Sequence, residues 1–272
     1  MNKPQVQILL STHNGSRFLR EQLDSVLCQT YKGWQLLIRD DGSEDETEAI
    51  IKEYCNKFPK LMVTIFGGKG GNASTSFMSM LPFVKSPYVM FCDQDDIWVP
   101  EKVQNALDQI QILEKRCPEA LFFTDMKVVN ESMEELFPSF FKQQKLLPQW
   151  GLNSNYAFVQ SVAAGCAMIF TAALISKLHP IKAPLFQHDH WLLMHAAHYG
   201  VVGYGLEKTV HYRQHSSNVV GSHAINCSYF FGKIHSLTKV WERWRYIKKC
   251  FGNQISMLNL MKAKWELNKQ RI

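Results

Sequence analysis

The sequence contains no C-x-x-C pair, no H-E-x-x-H, no G-x-x-x-x-G-K-[ST] loop and no uncharged apolar run of about 18 residues. Each absence excludes something. The seven cysteines, Cys28, Cys55, Cys92, Cys117, Cys166, Cys227 and Cys250, are scattered and odd in number. They argue against a disulfide framework or a cysteine zinc site and fit a reducing compartment, mostly as small buried apolar residues. Without a long apolar run, no transmembrane helix is expected. The first residues, Met-Asn-Lys-Pro-Gln, lead into a strand-like run with no signal peptide. The glycines around Lys69 miss the phosphate-loop pattern, because Gly70 follows where Ser or Thr is needed, so Gly67–Asn72 reads as a turn. Internal repeats and low-complexity blocks are also missing. No recognised module accompanies the basic charge, so a nucleic-acid partner is not expected.

What is present is core material. Of 272 residues, 46% are hydrophobic and 12% aromatic, enough for one large domain. The net charge of +6 is unevenly placed. Residues 222–272 hold ten Lys and Arg against Glu242 and Glu266, a balance of +8 that leaves 1–221 at −2.

Apolar runs and helical periodicity alternate along the first 115 residues. Val6–Leu10, Trp34–Ile38, Leu61–Phe66 and Tyr88–Cys92 read as strands. Segments 16–29, 44–57, 73–84 and 100–115 read as helices, the last opened by Pro100. This alternation predicts an α/β fold with a mainly parallel sheet. Ligands then bind beyond the carboxyl ends of the strands, where the polar clusters 11–15, 40–43 and 93–96 fall. Beyond Asp125 the pattern loosens: 126–160 reads as an excursion, Gly165–Phe170 as a strand, 188–199 as a helix, and 201–205 with 208–213 as paired strands.

In Asp93-Gln94-Asp95-Asp96, alternate residues on an extended chain face one way, so Asp93 and Asp95 can share a site. Their mutual repulsion calls for a divalent cation, and oxygen ligands suit Mg²⁺ or Mn²⁺. The competing reading makes Asp95 or Asp96 a helix cap. Asp40-Asp41-Gly42-Ser43 is either a turn or a carboxylate site for a base N–H. Among His188, Asp189, His190, His195 and His198, a zinc pair at 195 and 198 is conceivable, and Asp189 is either a general base or a helix cap. Arg213 and His215 are donors suited to phosphate oxygens, or members of an ordinary polar loop.

Taken in order, V-Q-I-L-L-S-T-H-N-G, L-D-S-V-L-C-Q-T-Y, L-L-I-R-D-D-G-S-E-D-E-T, F-C-D-Q-D-D-I-W-V-P-E-K, H-D-H-W and Y-R-Q-H-S-S-N-V-V-G resemble family 2 glycosyltransferases of the GT-A fold, specifically the bacterial rhamnosyltransferase-like group. The resemblance covers roughly residues 5–221, with 1–115 as the nucleotide-binding half and 116–221 as the acceptor half. It implies that Ser11, Thr12, His13 and Asn14 line a nucleotide pocket, with Asp40 and Asp41 at the base. Asp93 and Asp95 become the D-x-D pair, with Asp95 the principal ligand of Mg²⁺ or Mn²⁺ and His215 a further one. Arg213 and His215 fall in a segment that closes on the donor diphosphate, and Asp189 becomes the acceptor-activating base. Many relatives have Glu-Asp where this chain has His188-Asp189, so that role rests on Asp189 alone. The expected partners are a dTDP- or UDP-sugar donor and a saccharide or lipid-linked acceptor for bacterial surface glycans, at the cytoplasmic side. The alternatives are a silent nucleotide-sugar binder or assembly partner and a metal-dependent nucleotidyltransferase. The latter would want a glycine-rich basic first loop, and 11–17 offers only Gly15 and Arg17.

The tail 222–272 falls outside the resemblance. Ile234, Leu237, Trp241 and Trp244 recur at helical spacing beside Arg243, Arg245, Lys248 and Lys249. Such a basic amphipathic helix suits an anionic membrane surface, or else it packs on the domain or forms a homodimer contact.

Overall fold

A computed structural model of the chain describes residues 4–65, 71–182, 185–215 and 237–270. The Gly67–Gly70 turn, the Ser216–Asn218 end of the last motif and Ile234 lie outside these residues, as does the side chain of Leu237.

In chain order the elements are β1 (Val6–Thr12), α1 (Leu19–Leu27), β2 (Trp34–Asp40), α2 (Thr47–Lys57), β3 (Met62–Thr64), α3 (Ala73–Met80), β4 (Tyr88–Cys92), β5 (Ile97–Trp98) and α4 (Lys102–Glu114). There follow β6 (Ala120–Val129), β7 (Glu135–Phe137), α5 (Phe140–Gln143), α6 (Ser154–Val159), β8 (Met168–Thr171), α7 (Ala172–Ile175), α8 (His188–Tyr199), β9 (Val201–Arg213), α9 (Leu237–Phe251) and α10 (Met257–Gln270). Among the described residues, nine strands form one sheet in the order β3-β2-β1-β4-β8-β6-β9-β5, with β7 on β6. Strands β3, β2, β1 and β4 run parallel, and β8 then enters antiparallel to both β4 and β6. The parallel part is the half whose βα alternation the sequence displayed; the other half is mixed.

Neighbouring residues of β1 face opposite sides. Ile8 and Leu10 pack under α1, α2 and α4 with Leu23, Ile50 and Leu107, whereas Leu9 packs with Phe77 of α3 and Leu192 of α8. Two apolar faces force helices onto both sides of the sheet, giving three layers. A third cluster joins Trp191 of α8, Phe158 of α6 and Phe186 to Ile247 and Phe251 of α9. One face of the basic C-terminal segment is therefore packed on the domain.

Two expectations change. Residues 201–213 form one long strand parallel to β6 rather than a hairpin. Gly203 and Gly205 make room within it: a Cβ at Gly203 would stand 2.7 Å from Leu113 Cδ1, and one at Gly205 3.1 Å from Phe122 Cζ. Strand-like 165–170 begins as a 3₁₀ turn, Gly165–Ala167, and only Met168–Thr171 pairs. The excursion after β6 is pinned by buried Asp125, which accepts from Ser139 Oγ at 2.6 Å and Phe141 N at 3.1 Å.

Candidate active site

Parallel register aligns the ends of the first strands. Thr12 pairs with Asp40, and Leu10 with Cys92, so the three polar loops leave the same edge of the sheet. They are laced together there. Gln94 Oε1 accepts from His13 N at 2.9 Å, and Gln94 Nε2 donates to His13 O at 3.1 Å. Asn14, at φ +48°, donates from its backbone N to Ser43 Oγ at 2.8 Å and accepts from Glu44 N at 2.8 Å. Asn tolerates this left-handed backbone better than most residues.

Asp40 is occupied by its own loop. It accepts from Thr12 Oγ1 at 2.8 Å, Ser43 Oγ at 2.6 Å, and the backbone N–H groups of Gly42 and Ser43. Asp41 is buried against Arg39, Nε to Oδ1 2.8 Å. Arg39 Nε also donates to Ser76 Oγ, which accepts from Ser11 Oγ. Of the residues expected to line a nucleotide pocket, Thr12, Asn14 and Asp40 thus hold the loops in shape. Ser11 and Asp41 belong to a polar chain reaching α3, and His13 is exposed.

The end of β4 is built differently. Neither Asp95 nor Asp96 caps a helix: β5 intervenes, and Glu101 precedes α4 without a side-chain cap. Asp93, Asp96 and Cys166 place potential ligand atoms within 4.8 Å of one another. Asp96 is fully buried; its Oδ1 accepts from Arg213 N at 3.2 Å, and its Oδ2 makes no hydrogen bond. Burial and the charges of Asp95 and Asp93 hold its carboxyl well above the usual range. Burial also pushes Asp93 up, to about 7, with the charges of Asp95 and Asp189 adding to it.

The short pairing of β5 with β9 completes the site. Antiparallel register Ile97↔His211 carries residues 213–215 back alongside 93–95. His215 Nε2 reaches Asp95 Oδ2 at 2.8 Å, its ring tilted against Phe18. Arg213 requires a correction. It is not presented to a ligand, because it is 1% exposed and its guanidinium is engaged by protein groups. Nε donates to Asp95 O at 3.0 Å and Nη1 to Glu131 O at 3.0 Å, Nη2 pairs with Glu21, and the plane lies 4.5 Å over Phe18. It positions the acidic loop.

Asp189 stands in the first turn of α8, two residues too late to cap it; Gln187 is the N-cap, and Asp189 Oδ1 accepts from His190 N at 2.6 Å. A carboxylate in a helix's first turn is favoured by the helix dipole. The zinc reading of the histidines fails. His195 Nδ1 meets Trp191 O at 2.7 Å, and its Nε2 accepts from His179 N at 3.2 Å. His190 Nε2 meets Ala157 O at 2.6 Å. Burial pulls these imidazoles down, to about 4 and about 3, so both are neutral. His188 stacks on Phe77 at 4.4 Å and nests against Gly165, where a Cβ would stand 2.7 Å from its Nε2.

A family model described as glycosyl transferase family 2 matches residues 7–164. The chain belongs to this family. An uncharacterized glycosyltransferase of Rickettsia typhi is 24% identical over 189 residues, 69% of this chain and 57% of that protein. The dTDP-rhamnosyl transferase RfbG of Shigella flexneri is 27% identical over 253 residues, 86% of this chain and 80% of that enzyme. The chain thus spans little more than half of the first relatives, whereas its match to RfbG is longer. The fold of this chain matches that of S. aureus TarS 1-349 with a TM-score of 0.66 at 17% identity, over 98% of this chain and 71% of that one. It also matches the mannosyltransferase PcManGT of Pyrobaculum calidifontis, solved with GDP-Man and Mn²⁺, at 0.59 and 12%, over 99% and 81%. The shared GT-A architecture is the expected α/β class.

The sequence had flagged the acidic residues but not their supports: Arg39, Ser76, Gln94, Glu21 and Cys166. Arg39 and Gln94 sit inside the flagged motifs and carry a signal; Glu21, Ser76 and Cys166 have none before the chain is folded.

Proposed function

We propose that this glycosyltransferase moves a sugar from a nucleoside diphosphate to an acceptor hydroxyl in one inverting displacement assisted by Mg²⁺ or Mn²⁺. One observation carries the reading: Asp93, Asp95, Asp189 and His215 come from three distant segments, and the field of Asp95 and Asp189 helps push Asp93 up to about 7. Such crowding of carboxylates is relieved by a cation. The donor set of carboxylate oxygens with one imidazole fits Mg²⁺ or Mn²⁺. Asp93, Asp95 and His215 would hold the ion, and bound there it would offset charge developing on the departing diphosphate. Ser11, His13 and Asp41 face the nucleoside, and Arg213 keeps the Asp95 backbone in place.

The chemical step is balanced as follows. The acceptor oxygen forms a bond to the anomeric carbon while the bond from that carbon to phosphate oxygen breaks. The electron pair leaves with the nucleoside diphosphate, and the hydroxyl proton passes to Asp189. The RfbG match favours dTDP-rhamnose as the first donor to try, with UDP-hexoses next, TarS having been solved with UDP-GlcNAc. A saccharide or lipid-linked acceptor of a surface glycan, met at the cytoplasmic side, suits such a donor.

The test is transfer by Asp189→Asn and Asp95→Ala. Each is expected to lower kcat by on the order of 10²–10⁴. Turnover unchanged in both would overturn the assignment.

A further inference from the structure

Away from the crevice, the C-terminal helices carry a surface that the transferase reading leaves unused. Their inner faces bury Ile247 and Phe251 of α9, and Leu260, Ala263 and Leu267 of α10. On the opposite side of α10, Leu258 is 76% exposed, Met261 58% and Trp265 63%. Their spacing of three and four residues puts them on one stripe. On α9, Val240 and Trp241 are about half exposed and Trp244 is half-buried. Each indole carries a cation: Arg245 lies 4.5 Å over Trp241, Lys248 5.2 Å over Trp244 and Lys269 5.5 Å over Trp265. Both carboxylates of the segment are engaged with the domain. Glu242 pairs with Lys182 at 2.5 Å, and Glu266 accepts from Tyr156 Oη at 2.9 Å. What faces outward is a mixture of indole, aliphatic and cationic groups.

We propose that α9 and α10 form a docking face for an anionic lipid bilayer. Indoles settle at the depth of the headgroups, Leu258 and Met261 reach the acyl boundary, and the cations meet lipid phosphate. The charge complement is one-sided, +8 over residues 222–272, which a lipid surface of negative charge answers and this chain's own remainder, at −2, does not. No helix among the described residues is long and apolar enough to cross a membrane, so the mode is lateral docking. Because Phe251 of α9 packs on Trp191 of α8, docking also brings the helix that bears Asp189 towards the bilayer.

The full chain should be sedimented with vesicles of phosphatidylcholine alone and with roughly one-third phosphatidylglycerol, with tryptophan emission followed in parallel. Expected are binding to the anionic vesicles only, a blue shift, and release by salt. Trp241→Ala with Trp265→Ala should lower partitioning roughly tenfold or more. Lys248→Glu and Lys269→Glu should each lower it roughly fivefold or more. These exposed side chains make unfolding of the variants improbable, and an unchanged circular-dichroism melt checks it. Equal affinity for neutral vesicles, indifference to all four substitutions, or a dimer in light scattering that the tryptophan variant abolishes would each overturn the proposal. Binding needs no turnover, so its failure leaves the transferase reading untouched.

Discussion

Two acidic strand ends flank β1 in one sheet, and they look alike in sequence: Ile-Arg-Asp-Asp closes β2, and Cys-Asp-Gln-Asp-Asp closes β4. Their physical states differ. At β2, Asp40 is saturated by hydroxyl and backbone donors and Asp41 is neutralised by Arg39. At β4, half-buried Asp93 and fully buried Asp96 stand among other carboxylates, and Asp96 keeps an oxygen without a hydrogen bond. The protein completes the first cluster itself and leaves the second short of positive charge. The first is a frame; the second is the place where the proposed function puts a cation.

The comparison can be broken most forcefully by substitutions with opposite signs. Asp41→Asn removes the countercharge beside a nearly buried guanidinium and should destabilise the fold by about 2–3 kcal/mol. Asp93→Asn removes a half-buried, repelled charge and should raise stability by about 1 kcal/mol while abolishing transfer. Chemical denaturation reads both, and changes of the same sign would remove the distinction. Next in size is the response to Mn²⁺. At a hundredfold excess over its Kd, the ion should stabilise the wild type by about 2.7 kcal/mol, leave that gain intact in Asp41→Asn and lose it in Asp93→Asn. A melt insensitive to Mn²⁺ in all three proteins would count against the receptor reading.

The smallest effect concerns α8, whose buried titratable groups are imidazoles. His195 is held neutral with its pKa pulled from the ordinary 6.5 down to about 4 by burial. A depressed histidine contributes fully above the unfolded value, and that contribution drains away as pH falls through 6.5 towards 4. Between pH 6.5 and 5, wild type should lose roughly 1.5 kcal/mol relative to His195→Gln. Parallel pH profiles for the two proteins would show the imidazole to be already charged in the native state.

How much of this was readable in advance follows from how local each signal is. β1, β2 and β4 and the helices beside them announce themselves through short apolar runs and helical periodicity, so the parallel half and its three loops were legible. β6 was not, because its apolar stretch runs on into Thr124-Asp125-Met126-Lys127, and its charged Asp125 is satisfied only by Ser139 and Phe141. β9 was read as two pieces, 201–205 and 208–213, because its continuity through Leu206 and Glu207 comes from its long pairing with β6, which is remote in sequence. In the site, Asp93, Asp95 and Asp189 could be picked out by residue type and order. The role of Arg213 could not: an arginine suited to phosphate and one locked on carbonyl oxygens read identically until the partners are placed.

The two-residue pairing of β5 with β9 has a consequence in time. Arg213 ties the Asp95 backbone to Glu21 and Glu131, and His215 reaches Asp95 itself, across sequence separations of more than a hundred residues in three of these four contacts. Contacts that distant form late, once the loops between them have closed. A chain still emerging from synthesis can complete β1 to β4 and yet lack the clasp that fixes its acidic loop. The charge-deficient acidic loop then takes its final form only when residues 213–215 arrive, so the proposed cation site is completed as one of the last events of folding.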